Sequence, residues 1–240
     1  DPMDQMQRYL RWYQEGYLSS IGQCFDIGST TRQSLELFIK SADPYAGPNT
    51  AGTAGNGCLM RLAPVAMFYF RNPELAIANA ALSARTTHGA IACLDACRFF
   101  ASLLVRALEG ETKDQLLQPV PWNHGAPLCP EIAEIANGSY LVKEPPAIRG
   151  SGYIVESLEA ALWAFANGED FTDGVRKAAN LGYDTDTTAA ICGQISGAHY
   201  GIQGIPRHWL SELHWSEKIK GMADQLHDLA TQQEAVSLNR

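Results

Sequence analysis

The chain has 240 residues, 46% of them apolar, and carries 18 Lys and Arg against 26 Asp and Glu, a formal net charge of −8. That length and apolar share sustain a buried core, and the acidic balance argues against a protein held by phosphate backbones or anionic lipid, so the expected partner is a small molecule and neither a nucleic acid polymer nor a membrane. No stretch approaches the ~20 apolar residues of a membrane span and no signal-peptide pattern is present, which makes the cytoplasm the expected compartment.

In chain order, Asp1 and Pro2 read as the N-cap and first position of a helix whose apolar stripe runs through Met6, Leu10, Tyr13 and Tyr17. A chain that opens on a capped helix without an initiator methionine reads as continuing from an upstream segment. Ser29 to Thr31 are expected to cap the next helix, "RQSLELFIKSA", and a long polar loop follows at 42–57. "CLMRLAPVAMFYF" predicts a buried helix that Pro64 interrupts. Asn72 and Pro73 start a helix that ends at "TTHG", and a further helix from Ala90 closes at Gly110. Residues 118–130 are a proline-rich loop, with a helical turn or two at 131–136.

From Tyr153 onward every segment shows helical spacing or caps: "YIVESLEAALWAFANG", "DFTDGVRKAANLG", "DTDTTAAICGQISGAHYG", "PRHWLSELHW" and "SEKIKGMADQLHDLATQQ". No segment sustains the period-two alternation of a strand, so the chain is predicted to be a single compact all-α domain spanning 1–240. The six cysteines lack the paired spacing of a zinc ribbon and read as reduced thiols; Cys93 and Cys97, four apart, are expected to pack in the core.

Four short stretches carry candidate chemistry. Ala189, Gly193, Gly197 and Gly201 recur every fourth residue, so they form a nearly bare helix face on which another helix can approach closely. Just ahead of them, Asp184, Asp186 and Thr187 offer two carboxylates and a hydroxyl, a donor set suited to Mg²⁺ or Mn²⁺, although capping of the helix start would use the same residue types. Asn56 stands between Gly55 and Gly57 before a helix, which suits either an anion-binding loop or a plain turn. His88, after two threonines, either reaches a ligand or bonds the last carbonyls of its own helix; Gly152 and Tyr153 either present an aromatic ring to a ligand or bury it.

Taken together, "CFDIGSTT", "GNGCLMRLAP", "TTHG", "SGYIVESLEAALWAF" and "GYDTDTTAAICGQISGAHYG" followed by "IPRHWL" resemble the ADP-ribosylglycohydrolase family, in the family's order and over most of the chain. The resemblance implies an all-α fold around two Mg²⁺ or Mn²⁺ ions and hydrolysis of the bond joining ADP-ribose to its acceptor. It implies metal ligation by Asp184, Asp186 and Thr187. Contact with the diphosphate or distal ribose is implied for Gly55, Asn56 and Gly57, and a place at the ribose end of the cleft for His88, Gly152 and Tyr153.

Two departures stand out. The family's double glycine before the metal motif is Gly182 and Tyr183 here. The family's N-terminal glycine-aspartate and threonine-aspartate-aspartate stretches, which supply the other metal ligands and an acidic catalytic residue, do not occur in these 240 residues, so no catalytic acid or base is assigned. The alternatives are a non-catalytic ADP-ribose-binding or structural member of the same fold, and a half-site fragment complemented by an N-terminal piece.

Overall fold

A computed structural model describes residues 1–238, all as helices, turns and loops. The helices are α1 (Pro2–Glu15), α2 (Ser29–Ser41), α3 (Ala63–Tyr69), α4 (Pro73–Arg85), α5 (Ile91–Leu108), α6 (Lys113–Leu117), α7 (Pro130–Ala136), α8 (Ile154–Asn167), α9 (Phe171–Asn180), α10 (Thr185–Tyr200), α11 (Arg207–Glu212) and α12 (Ser216–Leu238). Among the described residues there is no strand, only an isolated antiparallel bridge between Gly55 and Tyr153, and no helix is long and apolar enough to cross a membrane.

The expected starts hold where a side chain can reach the free amides of a first turn. Asp1 Oδ1 accepts from the backbone N–H of Met3 at 2.8 Å, and Asn72 Oδ1 from that of Leu75 at 3.1 Å. Pro64, expected to interrupt a helix, instead stands in the first turn of α3, which begins at Ala63, and the preceding residues 57–61 form only turns. The expected cap at Ser29 to Thr31 is not made. The helix already begins at Ser29, behind an extended Gly28 that has no side chain to offer.

The core centres on α5 and α8, whose Phe100, Leu104, Leu158 and Phe165 are almost completely buried. These two helices pack on each other and on α10, and α9 closes over α8 and α10. A separate small cluster of Met6, Leu35 and Phe38 joins α1 to α2.

The close approach expected along Ala189, Gly193, Gly197 and Gly201 is absent among the described residues. α10 buries Thr187, Thr188, Ile191, Cys192, Ile195 and Ser196, whereas a Cβ on Gly193 would meet nothing within 4 Å. Branched and thiol side chains remove more apolar area from water than glycine does, so the face that carries them is the one drawn into the core.

Candidate active site

Three segments distant in sequence meet where α8 and α10 begin. The backbone N–H of Asn56 donates to Gly152 O at 3.1 Å, that of Ile154 to Ala54 O at 3.0 Å, and that of Asp184 to Gly150 O at 2.8 Å. The glycine loop, the "SGY" turn and the "DTD" helix start are thus tied by main-chain bonds, which fix positions whatever the side chains do.

Asn56 occupies the centre. It is buried, and its Nδ2 donates to Asp184 Oδ2 at 2.7 Å, with Ser157 Oγ at 3.2 Å and Ser151 O at 3.4 Å also in reach. Asp184 stands at the N-cap of α10 yet makes no capping bond with its side chain. The carboxylate that the sequence allowed to be a cap is therefore turned away from its own helix and toward Asn56. Asp186 is exposed on the first turn, and Thr187 is buried with its hydroxyl 3.7 Å from Met60 Sδ.

Gly150 makes this packing possible, because a Cβ there would fall 2.6 Å from Thr188 Oγ1. Tyr183 and Gly182, just ahead, both have positive φ, 59° and 79°. The turn that a double glycine would make without strain is made here with a tyrosine in the left-handed region, its ring exposed.

Beneath the glycine loop lies His88, only 2% exposed. Its Nε2 and Cε1 pack so closely under the loop that a Cβ on Gly57 would sit 3.3 and 3.1 Å from them. Arg61 donates from Nη2 to Thr87 Oγ1 at 2.9 Å, which leaves the threonine proton to point at His88 Nδ1, 2.8 Å away. This chain assigns His88 as the neutral tautomer with the proton on Nε2, facing the loop. Burial, with the Arg61 charge adding to it, holds the His88 pKa below its ordinary value. Arg61 also donates to Gly57 O at 2.9 Å and to Tyr9 OH at 2.8 Å, so one guanidinium fastens the loop to α1 and to the "TTHG" corner.

Tyr153 is 40% exposed, next to Gly152, whose missing Cβ would be 3.7 Å from Asp184 Oδ2. Partial burial, with Glu131 and Cys129 nearby, raises the phenol pKa and keeps it neutral. Of the nine sequence candidates, Gly55, Asn56, Gly57, Gly152, Tyr153, Asp184, Asp186 and Thr187 share one surface, and His88 lies under it as support. Arg61, Ser157, Gly150 and Thr188 were not singled out from sequence; the arginine four residues after Gly57, close enough to reach back to the loop, was the available signal.

A cavity of about 400 Å³ is lined by Gly57 and Met60 together with Tyr9, Trp12 and Tyr17 among others. Among the described residues no three His, Cys, Asp or Glu side chains are grouped to hold a metal ion, and all six cysteines are free.

The family model for ADP-ribosylglycohydrolase matches residues 1–235. The chain belongs to the ADP-ribosylglycohydrolase family. Within it, the chain is 37% identical over 228 residues to the ADP-ribosylarginine hydrolase Tri1 of Serratia proteamaculans (strain 568), covering 95% of this chain and 61% of that protein. The Tri1 of Pseudomonas putida (strain GB-1) is 39% identical over 223 residues, 93% of this chain and 59% of the relative. The chain therefore spans about three-fifths of the length of these two relatives. A solved structure described as an ADP-ribosylglycohydrolase-related protein complex superposes with a TM-score of 0.83 at 43% identity, covering 96% of this chain and 75% of the other. The fold is that of this ADP-ribosylglycohydrolase-related protein.

Proposed function

We propose that this chain forms the ribose-binding and metal-binding wall of a hydrolase that cleaves ADP-ribose from its acceptor, with ADP-ribosylarginine as the substrate. The orientation of Asp184 carries this reading. A carboxylate at a helix N-cap that forgoes capping, with its Oδ1 accepting no hydrogen bond among the described residues, is a ligand group held ready by Asn56. The names of the two Tri1 relatives support arginine as the acceptor.

The residues present fit one side of a hard-cation site. Asp184 and Asp186 offer oxygens, Thr187 adds a hydroxyl held now only by a weak sulfur contact, and no soft ligand intrudes. Mg²⁺ or Mn²⁺ bound there would supply a positive charge to hold ribose hydroxyls and to stabilise charge as the glycosidic bond breaks. Asn56 orients Asp184 and keeps it from rotating back to cap α10. Gly57, half-buried and stiffened from below by His88 and Arg61, is the loop residue whose N–H is offered to an anionic diphosphate, since the Gly55 N–H already donates to Thr53 O at 2.9 Å. Tyr153, neutral and exposed, offers a ring face and a hydroxyl to the sugar.

Calorimetric titration of ADP-ribose with and without Mg²⁺, on the chain and on Asp186→Ala, tests the proposal. Metal-dependent binding lost in the variant is the expected result. Binding indifferent to both metal and Asp186 supports instead a family member that holds ADP-ribose without cleaving it.

A further inference from the structure

α5 carries a buried ion pair that plays no part in the site described so far. Asp95 Oδ1 lies 2.8 Å from Arg98 Nη1, with side chains 2% and 13% exposed. A pair removed from water to this extent is maintained only when the remaining hydrogen-bonding capacity of both groups is used. Here it is used on one segment. Asp95 Oδ2 accepts from the backbone N–H of Cys129 at 2.8 Å, and Arg98 Nη2 donates to His124 O at 2.8 Å and Ala126 O at 2.7 Å. The guanidinium also stands over the Trp122 ring at 5.1 Å, and Trp122 Nε1 donates to Ala126 O at 3.0 Å. Residues 119–129 contain no helix or strand, so this pair and the contact of His124 Nδ1 to Glu74 Oε1 at 2.8 Å tie down their polar groups, while Trp122, Leu128 and Cys129 pack on the core.

The clamped segment adjoins the site. Two residues before Asp95, Cys93 Sγ donates to Gly55 O at 3.4 Å, and Gly55 bridges to Tyr153. Cys129, where the segment ends, is held by Asp95, two residues on from Cys93 in the same helix. On the other side of Tyr153, Gly152 faces Asp184. The contacts thus run from Asp184 to Gly152 and its neighbour Tyr153, from Tyr153 to Gly55, and through Cys93 and Asp95 of α5 to Cys129 and the loop.

We infer that Arg98 is a positioning residue: paired with Asp95, it fixes residues 122–129 as the far wall of the cleft, against which the adenosine half of ADP-ribose rests. The inference rests on the proposed placement of the ribose at Asp184, because a ligand anchored there and passing over Tyr153 is led to this loop.

The test compares ADP-ribose with ribose 5-phosphate, which lacks the adenosine half. Both are titrated into the chain in the presence of Mg²⁺, using wild type, Arg98→Met, Arg98→Lys and Trp122→Ala, the last of which leaves the buried pair intact. Chymotryptic cleavage at Trp122 reports the order of the loop in the three proteins that retain the tryptophan. Arg98→Met is expected to weaken ADP-ribose at least tenfold while ribose 5-phosphate stays within twofold, with faster cleavage at Trp122 and partial recovery in Arg98→Lys. Trp122→Ala is expected to show a smaller loss with the same selectivity. Equal losses for both ligands, or unchanged ADP-ribose affinity in Arg98→Met and Trp122→Ala, overturn the inference while leaving the functional proposal standing. Failure of the wild-type chain to bind ADP-ribose overturns that proposal and this inference with it.

Discussion

Asn56 and Asp184, 128 positions apart, are joined by a 2.7 Å hydrogen bond in which the amide donates to a carboxylate that would otherwise cap its own helix. That bond holds the carboxylate away from the amides of its own helix.

Asn56→Ala removes the amide and leaves Asp184 Oδ2 and the buried Ser157 hydroxyl without their partner. A loss of about 1–3 kcal/mol in a urea melt is expected. Asp184 then rotates toward the free amides of α10, and ADP-ribose affinity in Mg²⁺ falls more than the stability loss alone would cause. A variant with normal affinity would show that Asn56 does not orient Asp184.

Gly150→Ala places a methyl group 2.6 Å from Thr188 Oγ1 and 3.1 Å from Thr188 Cβ and Cγ2. Overpacking of this kind costs about 1–3 kcal/mol. Adding Thr188→Ala removes two of the three clashing atoms and should restore part of the thermal midpoint, an interaction that a double-mutant cycle measures directly.

His88 makes stability depend on pH in a defined window. Above about pH 6.5 the imidazole is neutral in both the folded and unfolded chain, so it has no effect on pH dependence. Below that value the unfolded chain takes up a proton that the folded one, whose His88 pKa is depressed by burial, does not. Stability therefore falls as the pH drops from about 6.5 toward the folded-state value, by at most ~1.4 kcal/mol per pH unit. Urea midpoints between pH 7 and pH 5 should decline less steeply in His88→Gln, which cannot titrate.

Tyr183→Gly relieves a left-handed residue that is 76% exposed. The strain of an L residue at positive φ is about 1–2 kcal/mol, offset in part by the greater freedom of glycine in the unfolded chain, so a net gain of up to about 1 kcal/mol is expected. Tyr183→Val, β-branched at the same φ, should lose stability, and scanning calorimetry of the two variants beside the wild type measures both changes.

What could be read from sequence was local. Caps at Asp1 and Asn72 and the helical spacing from Tyr153 onward depend on neighbours within a turn, and those neighbours are adjacent in the chain; Pro64, expected to interrupt a helix, instead stands at the start of one. The glycine recurrence on α10 was visible as a pattern, but which face is buried depends on what α8 and α9 bring to it, and Ile191, Cys192 and Ile195 prevailed. The site residues were found as separate motifs. That Asn56 faces Asp184, and that His88 supports the loop from beneath, follows only from contacts spanning tens of residues or more, which no local rule encodes.

The main-chain tie between Gly150 and Asp184, and that between Ala54 and Ile154, also determine when the cleft comes into existence. During synthesis the glycine loop leaves the ribosome well before its carboxylate partner, and closing a segment this long yields no contact energy until its ends meet. A nascent or half-unfolded chain therefore has no assembled cleft. On the proposed function, occupancy by ADP-ribose becomes a readout of complete folding, and a ligand that binds only the finished molecule should act as a thermodynamic clasp on the whole domain and not on one loop.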